Sequence, residues 1–358
     1  IKSSLIVYDI HKSKNSGQSI NEIIKHKIKI NYLVKSSEKI FKNREIQLSN
    51  KLGSIILKIS KILNKVKPKL LILYGDRVEL MSFALSSILM KIPVVHINGG
   101  EITTGAYDEL VRHSITKISS YHFVSSEKNK NILIQMGEEK KNIFNVGHLV
   151  YENVKNTDIL NKETLEKKLS IKFSKKNALL SFHPVTFLGD YGLNELKILL
   201  KCLEKKKEIQ FFISYPNNDV GNEKMVKIID KYVKKNNHFI LRKSFGHVYF
   251  LSMLKNVDFI IGNSSSGILE APIFKTASIN IGKRQKGRNR TKSIIDCNCT
   301  SKEIYESIDT IYSSRFVKEL KKTKLQYSKK NSVEEIIKNI KQIIKKPKME
   351  KHFQIRSK

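Results

Sequence analysis

The feature that most constrains the fold of this chain is a regular alternation of short apolar runs with segments of helical spacing. Ten runs are predicted as strands: LIVYDI, KLLILYG, PVVHI, YHFVSS, IFNVG, ALLSFHP, IQFFISYP, HFILRK, DFIIGN and ASINIG. Between them lie segments with apolar residues three and four apart: VELMSFALSSILMK, DELVRHSITKISS, KNILIQMG and ILEAPIFK. Alternation of this kind favours right-handed βαβ units, and continuously apolar strands are typical of parallel sheets covered on both faces. The predicted fold class is therefore α/β.

A polar stretch from Tyr151 to Lys176 separates two such sets of strands and marks the predicted domain boundary. We expect a Rossmann-like N-terminal domain over 1–150 and a Rossmann-like nucleotide-binding domain over 151–345, followed by a basic tail over 346–358. The second domain closes with the amphipathic helix SVEEIIKNIKQIIKK. The expected picture is two doubly wound domains facing a cleft. Ligands of open α/β sheets bind beyond the carboxyl ends of the strands, so functional residues are expected there.

The formal net charge of +34 would ordinarily favour nucleic acid or another polyanion as a partner. Only nine of the 67 basic residues are Arg, however, and the Lys residues are spread along the whole chain. No recognition-helix, zinc-finger or stacking-aromatic motif stands out. A solvated basic surface is the preferred interpretation, so no specific nucleic-acid partner is expected, and a polyanion-binding protein stays as an alternative.

The sequence gives little support for a membrane protein, a disulfide-stabilised protein or a metalloprotein. No apolar run approaches the roughly 18 to 20 residues that span a bilayer. Cys202, Cys297 and Cys299 are too few and too scattered for a disulfide framework, and the Cys-x-Cys pair lacks the His or Cys cluster of a metal site. The start of the chain does not have the pattern of a signal peptide. We therefore expect a cytoplasmic protein without a metal.

Two motifs follow predicted strands of the first domain. YGDRVE places Asp76 and Arg77 directly after KLLILYG. The structural alternative is a helix cap and a surface ion pair, and the functional one is a carboxylate beside a guanidinium that can grip phosphate. HINGGEITTG places Glu101 in a glycine turn, and Asp108 opens the next helix four residues before Arg112. That spacing can also produce a plain surface pair, whereas Glu101 has no helical partner that would explain it.

Three motifs follow predicted strands of the second domain. SFHPVT places His183 at a strand end, where it is either structural or a general acid or base. IIGNSSSGILEAP leads into a small-residue turn, whose backbone N–H groups over 265–267 are expected to be free for an anion. INIGKRQKGRNR places Arg284, Arg288 and Arg290 together, which favours phosphate recognition. Carboxylates in one domain and anion-binding groups in the other predict a nucleotide-linked substrate.

Taken in chain order, these motifs resemble those of the hydrolysing UDP-N-acetylglucosamine 2-epimerases, in particular the branch that makes N-acetylmannosamine for sialic and related nonulosonic acids. The ordered set is GDR, H-I-x-G-G-E, D-x-x-x-R-H-S-I-T-K, F-H-P-V-T, Y-P-N-N-D, G-N-S-S-x-G and G-x-R-Q-x-G-R, over about Leu70 to Arg288. The resemblance implies a GT-B-like fold whose C-terminal helix packs back towards the first domain. It also implies a nucleotide-sugar substrate, no cofactor, and a homo-oligomer, either dimer or tetramer.

The resemblance further implies a two-step reaction. UDP is eliminated across C1–C2 to give a 2-acetamidoglucal, and water then adds back with inverted configuration at C2. Carried over position by position, the acid/base carboxylates are Asp76, Glu101 and Asp108, and the active-site histidine of the second domain is His183. The substrate contacts implied are Arg77, Asn217, Ser264, Ser265, Glu270 and Arg284, with Glu270 suited to ribose hydroxyls and Arg284 to phosphate.

Two departures from the family pattern matter. Asn98 stands where some relatives carry Glu, so which carboxylate removes the C2 proton stays open. The family loop G-[ST]-R-A-[ED]-Y-G is not found, and we expect the chain to begin after it. A nucleotide-sugar-binding protein without full catalysis and a GT-B glycosyltransferase are therefore alternatives. The choice between UDP and GDP, and whether the sugar is 6-deoxygenated, also stay open.

Overall fold

The structure is a computed structural model that describes residues 1–8, 20–37, 43–325 and 327–354. The strands are β1 (Leu5–Tyr8), β2 (Ile30–Val34), β3 (Leu71–Tyr74), β4 (Val94–Ile97), β5 (Tyr121–Val124), β6 (Ile143–Asn145), β7 (Lys176–Ser181), β8 (Ile209–Ser214), β9 (Phe239–Arg242), β10 (Phe259–Gly262), β11 (Ala277–Ile281) and β12 (Ile294–Cys297). The helices are α1 (Ile20–Lys25), α2 (Arg44–Val66), α3 (Leu80–Leu89), α4 (Asp108–Ile118), α5 (Glu127–Gln135), α6 (Leu149–Lys155), α7 (Lys162–Leu169), α8 (Leu193–Glu204), α9 (Asn222–Val233), α10 (His247–Asn256), α11 (Ser266–Leu269), α12 (Ser301–Ile311), α13 (Ser314–Lys321) and α14 (Ser332–Ile343). Within these residues, no helix combines the length and the apolar content needed to cross a bilayer.

Each of the ten predicted strands has a counterpart, although the last two residues of LIVYDI lie outside the described residues. β2 and β12 were not predicted. Both are partly exposed, and polar residues interrupt their sequences, INYLV and IIDC, so neither has a continuous apolar run. The segment ILEAPIFK forms the single turn α11 and a 3₁₀ turn, because Pro272 cannot donate the backbone bond that would continue an α-helix.

The chain divides into two compact units, and the division differs from the predicted domains at the C-terminal end. Unit 1 comprises Ile1–Glu101, Tyr107–Glu152 and Tyr327–Lys358, and unit 2 comprises Ile102–Ala106 and Asn153–Gln326. The prediction that the second domain runs to residue 345 is therefore corrected. Helix α14 belongs to unit 1, because its Ile336 and Ile343 are buried in the same apolar cluster as Val95 and Phe123.

Unit 2 is built on six parallel strands in the spatial order β12-β11-β10-β7-β8-β9. The first strand of the unit, β7, lies at the centre, and the chain builds outward to β9 and then returns on the other side from β10 to β12. This is the doubly wound Rossmann order, in which ligands bind where the order reverses, here between β7 and β10. The inner strands are buried on both faces, in a core that includes Phe211, Ile213 and Phe259. The sheet therefore points to the carboxyl ends of β7 and β10.

Unit 1 contains a four-stranded parallel sheet in the order β3-β4-β5-β6 and a separate parallel pair, β1-β2. β4 and β5 are buried along their whole length and carry His96 and His122 opposite each other in the register. The carboxyl ends of the four strands lead into Asp76, Asn98, Ser125 and the turn before α6. These ends lie at the same edge of one sheet, which brings polar side chains from distant parts of the chain together.

The segment Lys348–Gln354, which we call the tail segment, packs on unit 1. These residues belong to the predicted basic tail, and most of them are exposed, but Lys351 is partly buried. Lys351 inserts its ammonium group between Glu138, at 2.6 Å, and the backbone carbonyls of Thr116, Lys117 and Ser119, at 2.8–2.9 Å. Those carbonyls belong to the last turn of α4 and the residue that ends it, which have few intrahelical donors. A partly buried lysine thus satisfies the end of the helix that begins at Asp108.

Close approach of β10 to β7 requires a glycine at position 262. Gly262 has φ +135° and pairs with Ser181, and a Cβ added to it would lie 2.1 Å from the Ser181 carbonyl oxygen. We expect Gly262→Ala to lower the free energy of unfolding by about 1 to 3 kcal/mol from backbone strain alone. Urea denaturation measures the loss.

The matched control is Gly53→Ala, in the interior of α2, where a Cβ would meet no heavy atom within 4 Å among the described residues. Alanine there should stabilise the protein by about 0.5 to 1 kcal/mol, because glycine is unfavourable inside a helix. A Gly262→Ala variant as stable as wild type would contradict the close approach of β10 to β7.

Candidate active site

Asp76 follows β3 through a left-handed turn at Gly75 (φ +86°). The turn is fixed by His96, whose Nε2 lies 2.9 Å from the Gly75 carbonyl and whose Nδ1 lies 3.0 Å from the Thr116 hydroxyl. Burial lowers the pKa of His96 to about 3, so the ring is neutral and its Nε2–H donates to the carbonyl. His96 was not predicted as a site residue, and its role is to hold the turn that presents Asp76.

Arg112 joins Asp76 to the glycine turn that contains Glu101. Its guanidinium pairs with Asp76 Oδ2 through Nε, at 3.0 Å, and through Nη2, and its Nη1 donates to the Glu101 carbonyl at 2.6 Å. Burial opposes the charge on this 1 % exposed residue, but Asp76 and Glu101 outweigh it and raise the pKa of Arg112. The alternative that Asp76 caps the next helix is wrong, since α3 has no side-chain cap.

Glu101 lies in a tightly built turn. Its Oε1 lies 3.4 Å from both the Ser125 hydroxyl and His148 Nε2. The preceding Gly100 has φ +79°, and a Cβ there would come within 2.6 Å of Asn129 O and of the Leu133 side chain. Glu101 is therefore 8 % exposed and faces two polar partners rather than solvent.

The other predicted residues of unit 1 have different surroundings. Arg77 pairs with Glu79, at 3.2 Å through Nε and 3.4 Å through Nη2, and Glu79 is a buried carboxylate rather than the surface acid of the structural alternative. Asp108 opens α4 and is partly exposed, and its charge helps to raise the pKa of Arg112. Asn98 takes φ +68°, a backbone region that Asn tolerates better than most residues, and its amide nitrogen lies 3.5 Å from His148 Nε2.

His183 follows β7, at the reversal point of the unit 2 sheet. Its Nδ1 accepts the Asn217 backbone N–H at 3.1 Å, and its Nε2 lies 3.3 Å from the Ser264 hydroxyl. Burial, and then the charge of Arg284, lower the pKa of His183 to about 3. The ring is thus neutral near pH 7 with its hydrogen on Nε2. It is suited to donate a hydrogen bond to an anionic oxygen, and less suited to deliver a proton from an imidazolium.

Two residues that the sequence motifs contained, but that were not singled out, hold this region together. Asn263 is fully buried, accepts the His183 backbone N–H at 2.7 Å and donates to the His183 carbonyl at 2.8 Å. Gln285 is 2 % exposed and donates to the Asn263 carbonyl at 3.0 Å, while its Oε1 meets no donor among the described residues. A buried acceptor of this kind is available to a ligand donor.

The remaining predicted contacts of unit 2 lie around the same strand ends. Asn217 donates its side-chain amide to Asp219 at 2.5 Å, and its Oδ1 is buried without a donor in the described part of the chain. Ser264 contacts His183 and also accepts the Ser266 N–H at 3.3 Å. The expectation that the N–H groups of this turn are all free is wrong, because Gly267 N–H is bonded to the Ser264 carbonyl as well. Ser265 and Glu270 flank the single turn α11.

The arginine loop after β11 is built largely by internal bonds. Arg284 is 8 % exposed and donates from Nε to the Pro184 carbonyl and from Nη1 to the Asn263 carbonyl, at 3.2 and 3.3 Å. Arg290 pairs with Asp296 and donates to the carbonyls of Gln285 and Arg288. The interpretation of Arg290 as a phosphate ligand is therefore corrected. Residues 102–106 lie against this loop, since a Cβ at Gly105 would be 2.5 Å from the Arg284 Cα.

We expect Arg284→Ala to weaken UDP binding by roughly 1.5 to 3 kcal/mol, the usual value of a hydrogen bond to a charged group. Its charge acts on His183, where it adds to burial in lowering the pKa of the ring. Isothermal titration of UDP into each variant measures the change. Arg315→Ala, an exposed arginine of α13, is the control and should bind as wild type does. Unchanged affinity in Arg284→Ala would remove Arg284 from the nucleotide site.

Each unit therefore supplies a different chemical capacity. Unit 1 brings two carboxylates, Asp76 and Glu101, to the end of a parallel sheet and fixes them through Arg112. Unit 2 brings a neutral imidazole donor, a buried arginine and amide acceptors to the reversal point of a Rossmann sheet. Carboxylates can move protons, and the second set can bind an anionic, hydrogen-bonding ligand such as a nucleotide.

Comparison with known proteins identifies the family of this chain. The family described as UDP-N-acetylglucosamine 2-epimerase matches residues 1–341. A Campylobacter jejuni protein named GDP/UDP-N,N'-diacetylbacillosamine 2-epimerase (hydrolyzing) is 40% identical over 296 residues, 82% of this chain and 76% of the relative. A Neisseria meningitidis protein named UDP-N-acetylglucosamine 2-epimerase is 33% identical over 307 residues, 85% of this chain and 78% of that protein.

Solved structures share the fold over nearly the whole chain. The S. aureus MnaA–UDP structure has a TM-score of 0.77 at 14% identity and covers 99% of this chain and 100% of its own. The Methanocaldococcus jannaschii UDP-GlcNAc 2-epimerase, solved with UDP-GlcNAc and UDP, has a TM-score of 0.72 at 18% identity and covers 95% and 99%. The fold is the predicted GT-B-like α/β fold, and the chain belongs to the UDP-N-acetylglucosamine 2-epimerase family.

Proposed function

We propose that this protein is a hydrolysing 2-epimerase that converts UDP-N-acetylglucosamine and water to N-acetylmannosamine and UDP. The observation that carries the proposal is the Asp76–Arg112–Glu101 arrangement, which holds two carboxylates at one sheet end in a member of an epimerase family. Names of relatives add support for hydrolysis, since the C. jejuni and Legionella pneumophila proteins are both called hydrolyzing.

The proposed reaction balances in two steps. A carboxylate of unit 1 takes the C2 proton, the C1–oxygen bond breaks with its electron pair going to the diphosphate, and a C1=C2 double bond forms. Water then adds its hydroxyl to C1, and C2 receives a proton on the opposite face. His183 donates to the departing diphosphate, and Arg284 provides positive charge. Charge developing on the leaving group is where such preorganised donors contribute most.

A second candidate substrate is a nucleotide-linked N,N'-diacetylbacillosamine. Two of the more similar relatives, 40% and 30% identical, carry this sugar in their names. The two candidates share the 2-acetamido group and the diphosphate on which the proposed chemistry acts. They differ at C4 and C6, away from the reacting carbons. The same carboxylates therefore serve either sugar.

The experiment that tests the proposal incubates the chain with UDP-N-acetylglucosamine, and in parallel with UDP- and GDP-diacetylbacillosamine, in ²H₂O or H₂¹⁸O. We expect free UDP or GDP and an epimerised sugar that carries deuterium at C2 and ¹⁸O at C1. Label in the released nucleotide would indicate cleavage of phosphorus–oxygen bonds and contradict elimination. Interconversion of the two UDP-sugars without release of UDP would show a non-hydrolysing epimerase, and transfer of the sugar to an added acceptor would show a glycosyltransferase.

A further inference from the structure

His148 has no assigned part in the proposed reaction, yet it lies beside one of the carboxylates. It follows β6 after a left-handed turn at Gly147 (φ +80°), at the same sheet edge as the ends of β3, β4 and β5. It is 4 % exposed, and its Nε2 lies 3.4 Å from Glu101 Oε1. These two residues are 47 positions apart, so no local motif connects them.

The hydrogen on the His148 ring is placed by its surroundings. Nδ1 lies 3.1 Å from the Val150 backbone nitrogen, a group that can only donate. Nδ1 must therefore accept, and the ring carries hydrogen on Nε2. Nε2 lies 3.4 Å from Glu101 Oε1 and 3.5 Å from the Asn98 amide nitrogen.

The ring is also held rigidly. The His148 backbone N–H donates to the Tyr327 carbonyl at 3.1 Å, and the Tyr327 ring meets the imidazole edge-on at 6.2 Å between centroids. A Cβ at Gly147 would lie 2.7 Å from Lys329, so the turn before the ring has no room to shift. Residues from two distant parts of unit 1 therefore fix the direction of the Nε2–H.

A second donor reaches the same carboxylate oxygen. The Ser125 hydroxyl lies 3.4 Å from Glu101 Oε1 and itself accepts the Asn129 amide at 2.8 Å. That bond leaves the hydroxyl hydrogen of Ser125 for Glu101. Glu101 thus accepts a hydrogen bond from Ser125 and lies within 3.4 Å of His148 Nε2, and both partners are held by further bonds.

We propose that His148 is a positioning residue for Glu101: its Nε2 faces the carboxylate and holds its orientation for proton abstraction. The inference rests on the proposed function, because it assigns the support of a carboxylate in that reaction. The charged and titratable groups around the pair are Arg112 on α4, Asp76 through its pair with Arg112, and Tyr327 and Lys329 from the C-terminal part of unit 1. Lys329 directs its ammonium to the Asn145 carbonyl at 2.7 Å.

The test compares His148→Leu, which removes the donor, with His148→Gln, whose amide N–H can replace Nε2–H. In His148→Leu we expect kcat to fall about tenfold with KM changed less than about twofold, because the carboxylate loses its orientation while the nucleotide site is untouched. His148→Gln should restore most of the lost kcat. His238→Leu, a partly exposed histidine of unit 2 that contacts the Leu203 carbonyl, is the control and should behave as wild type.

An unchanged kcat in a folded His148→Leu variant, or a glutamine variant as impaired as the leucine variant, would overturn the inference. Nitrogen NMR of ¹⁵N-histidine-labelled wild-type protein is a second test that needs no leucine variant. The His148 signals, identified by their loss in His148→Gln, should report hydrogen on Nε2 and none on Nδ1. A ring that carries hydrogen on Nδ1 would contradict it. If the wild-type protein turns over none of the nucleotide sugars, the proposed function is wrong. The NMR measurement still tests the placement of the hydrogen on His148 in that case.

Discussion

Glu101→Gln should lower kcat by about 10² or more, the scale associated with general acid–base groups, while the affinity for UDP changes little. The amide keeps the size of the side chain and its place between Ser125 and His148, but it cannot take a proton. The turn around it should survive, because Gly100 and the Arg112 bond to the Glu101 carbonyl do not involve the carboxylate. Release of UDP from UDP-N-acetylglucosamine measures kcat, and isothermal titration measures the affinity.

Asp76→Asn should lower turnover by a similar factor and also cost stability, since it removes the counterion of the buried Arg112. Rates are therefore compared per folded molecule after a thermal melt of each variant. Glu127→Gln is the matched control, because Glu127 lies at the exposed start of α5 and accepts a bond from Asn145. Near-normal turnover in both Glu101→Gln and Asp76→Asn would show that neither carboxylate takes part in the reaction.

Glu138→Gln should lower the free energy of unfolding by about 3 to 5 kcal/mol near neutral pH, the usual cost of removing one partner from a buried ion pair. Glu138 is 1 % exposed and accepts from Lys117 at 2.8 Å, from His122 at 3.1 Å and from Lys351 of the tail segment at 2.6 Å. Without its charge, two ammonium groups lose their counterion. Urea denaturation followed by circular dichroism measures the loss.

The neighbouring Glu139→Gln is the control. Glu139 pairs with Lys141, which is 75 % exposed, so the change should stay within about 0.5 kcal/mol. Combining Glu138→Gln with Lys351→Met should cost less than the sum of the two single changes, because each removes the same interaction. Additive losses would show that the tail segment and Glu138 are not coupled.

The stability that Glu138 provides should depend on pH in a defined window. Burial would raise the pKa of Glu138, but hydrogen bonds from His122, Lys117 and Lys351 outweigh burial and lower it to about 2, from an ordinary value of 4.5. A group whose pKa is lowered on folding contributes fully above its unfolded value. The difference between wild type and Glu138→Gln should therefore be constant above about pH 4.5 and shrink as the pH falls towards 2.

The predicted site residues that lie at the carboxyl ends of the sheets share one property, a position directly after an apolar strand. Asp76 and His183 could be found in this way, because strand ends are recognisable locally and parallel sheets bring them to one edge. The role of Arg112 could not be predicted, because its partner Asp76 is 36 positions away in the chain. A residue of the same helix, Asp108, offered a simpler pairing. The true contacts of Arg112 depend on how β3 and α4 pack.

His148, Asn263 and Gln285 were missed for a related reason. Asn263 and Gln285 lie inside motifs that were noted, but serine and arginine have more familiar roles in binding phosphate. His148 follows a strand of only three residues, and its importance comes from contacts with Glu101 and Val150 rather than from spacing. The contacts of Lys351 could not be predicted, because sequence alone does not distinguish one lysine from the many others in a chain with a net charge of +34.

The return of α14 and the tail segment to unit 1 has a consequence for synthesis on the ribosome. Residues 153–326, which belong to unit 2, are translated after Glu138 and before α14 and the tail segment, which contains Lys351. At about 5 to 20 residues per second, this interval lasts roughly 10 to 35 s. During that time unit 2 can complete its own sheet, while nascent unit 1 still exposes the apolar surface around Val95 and Phe123 and holds Glu138 without Lys351. The half of the protein that is made first is therefore the half that finishes folding last, and it is the half that a chaperone would have to protect.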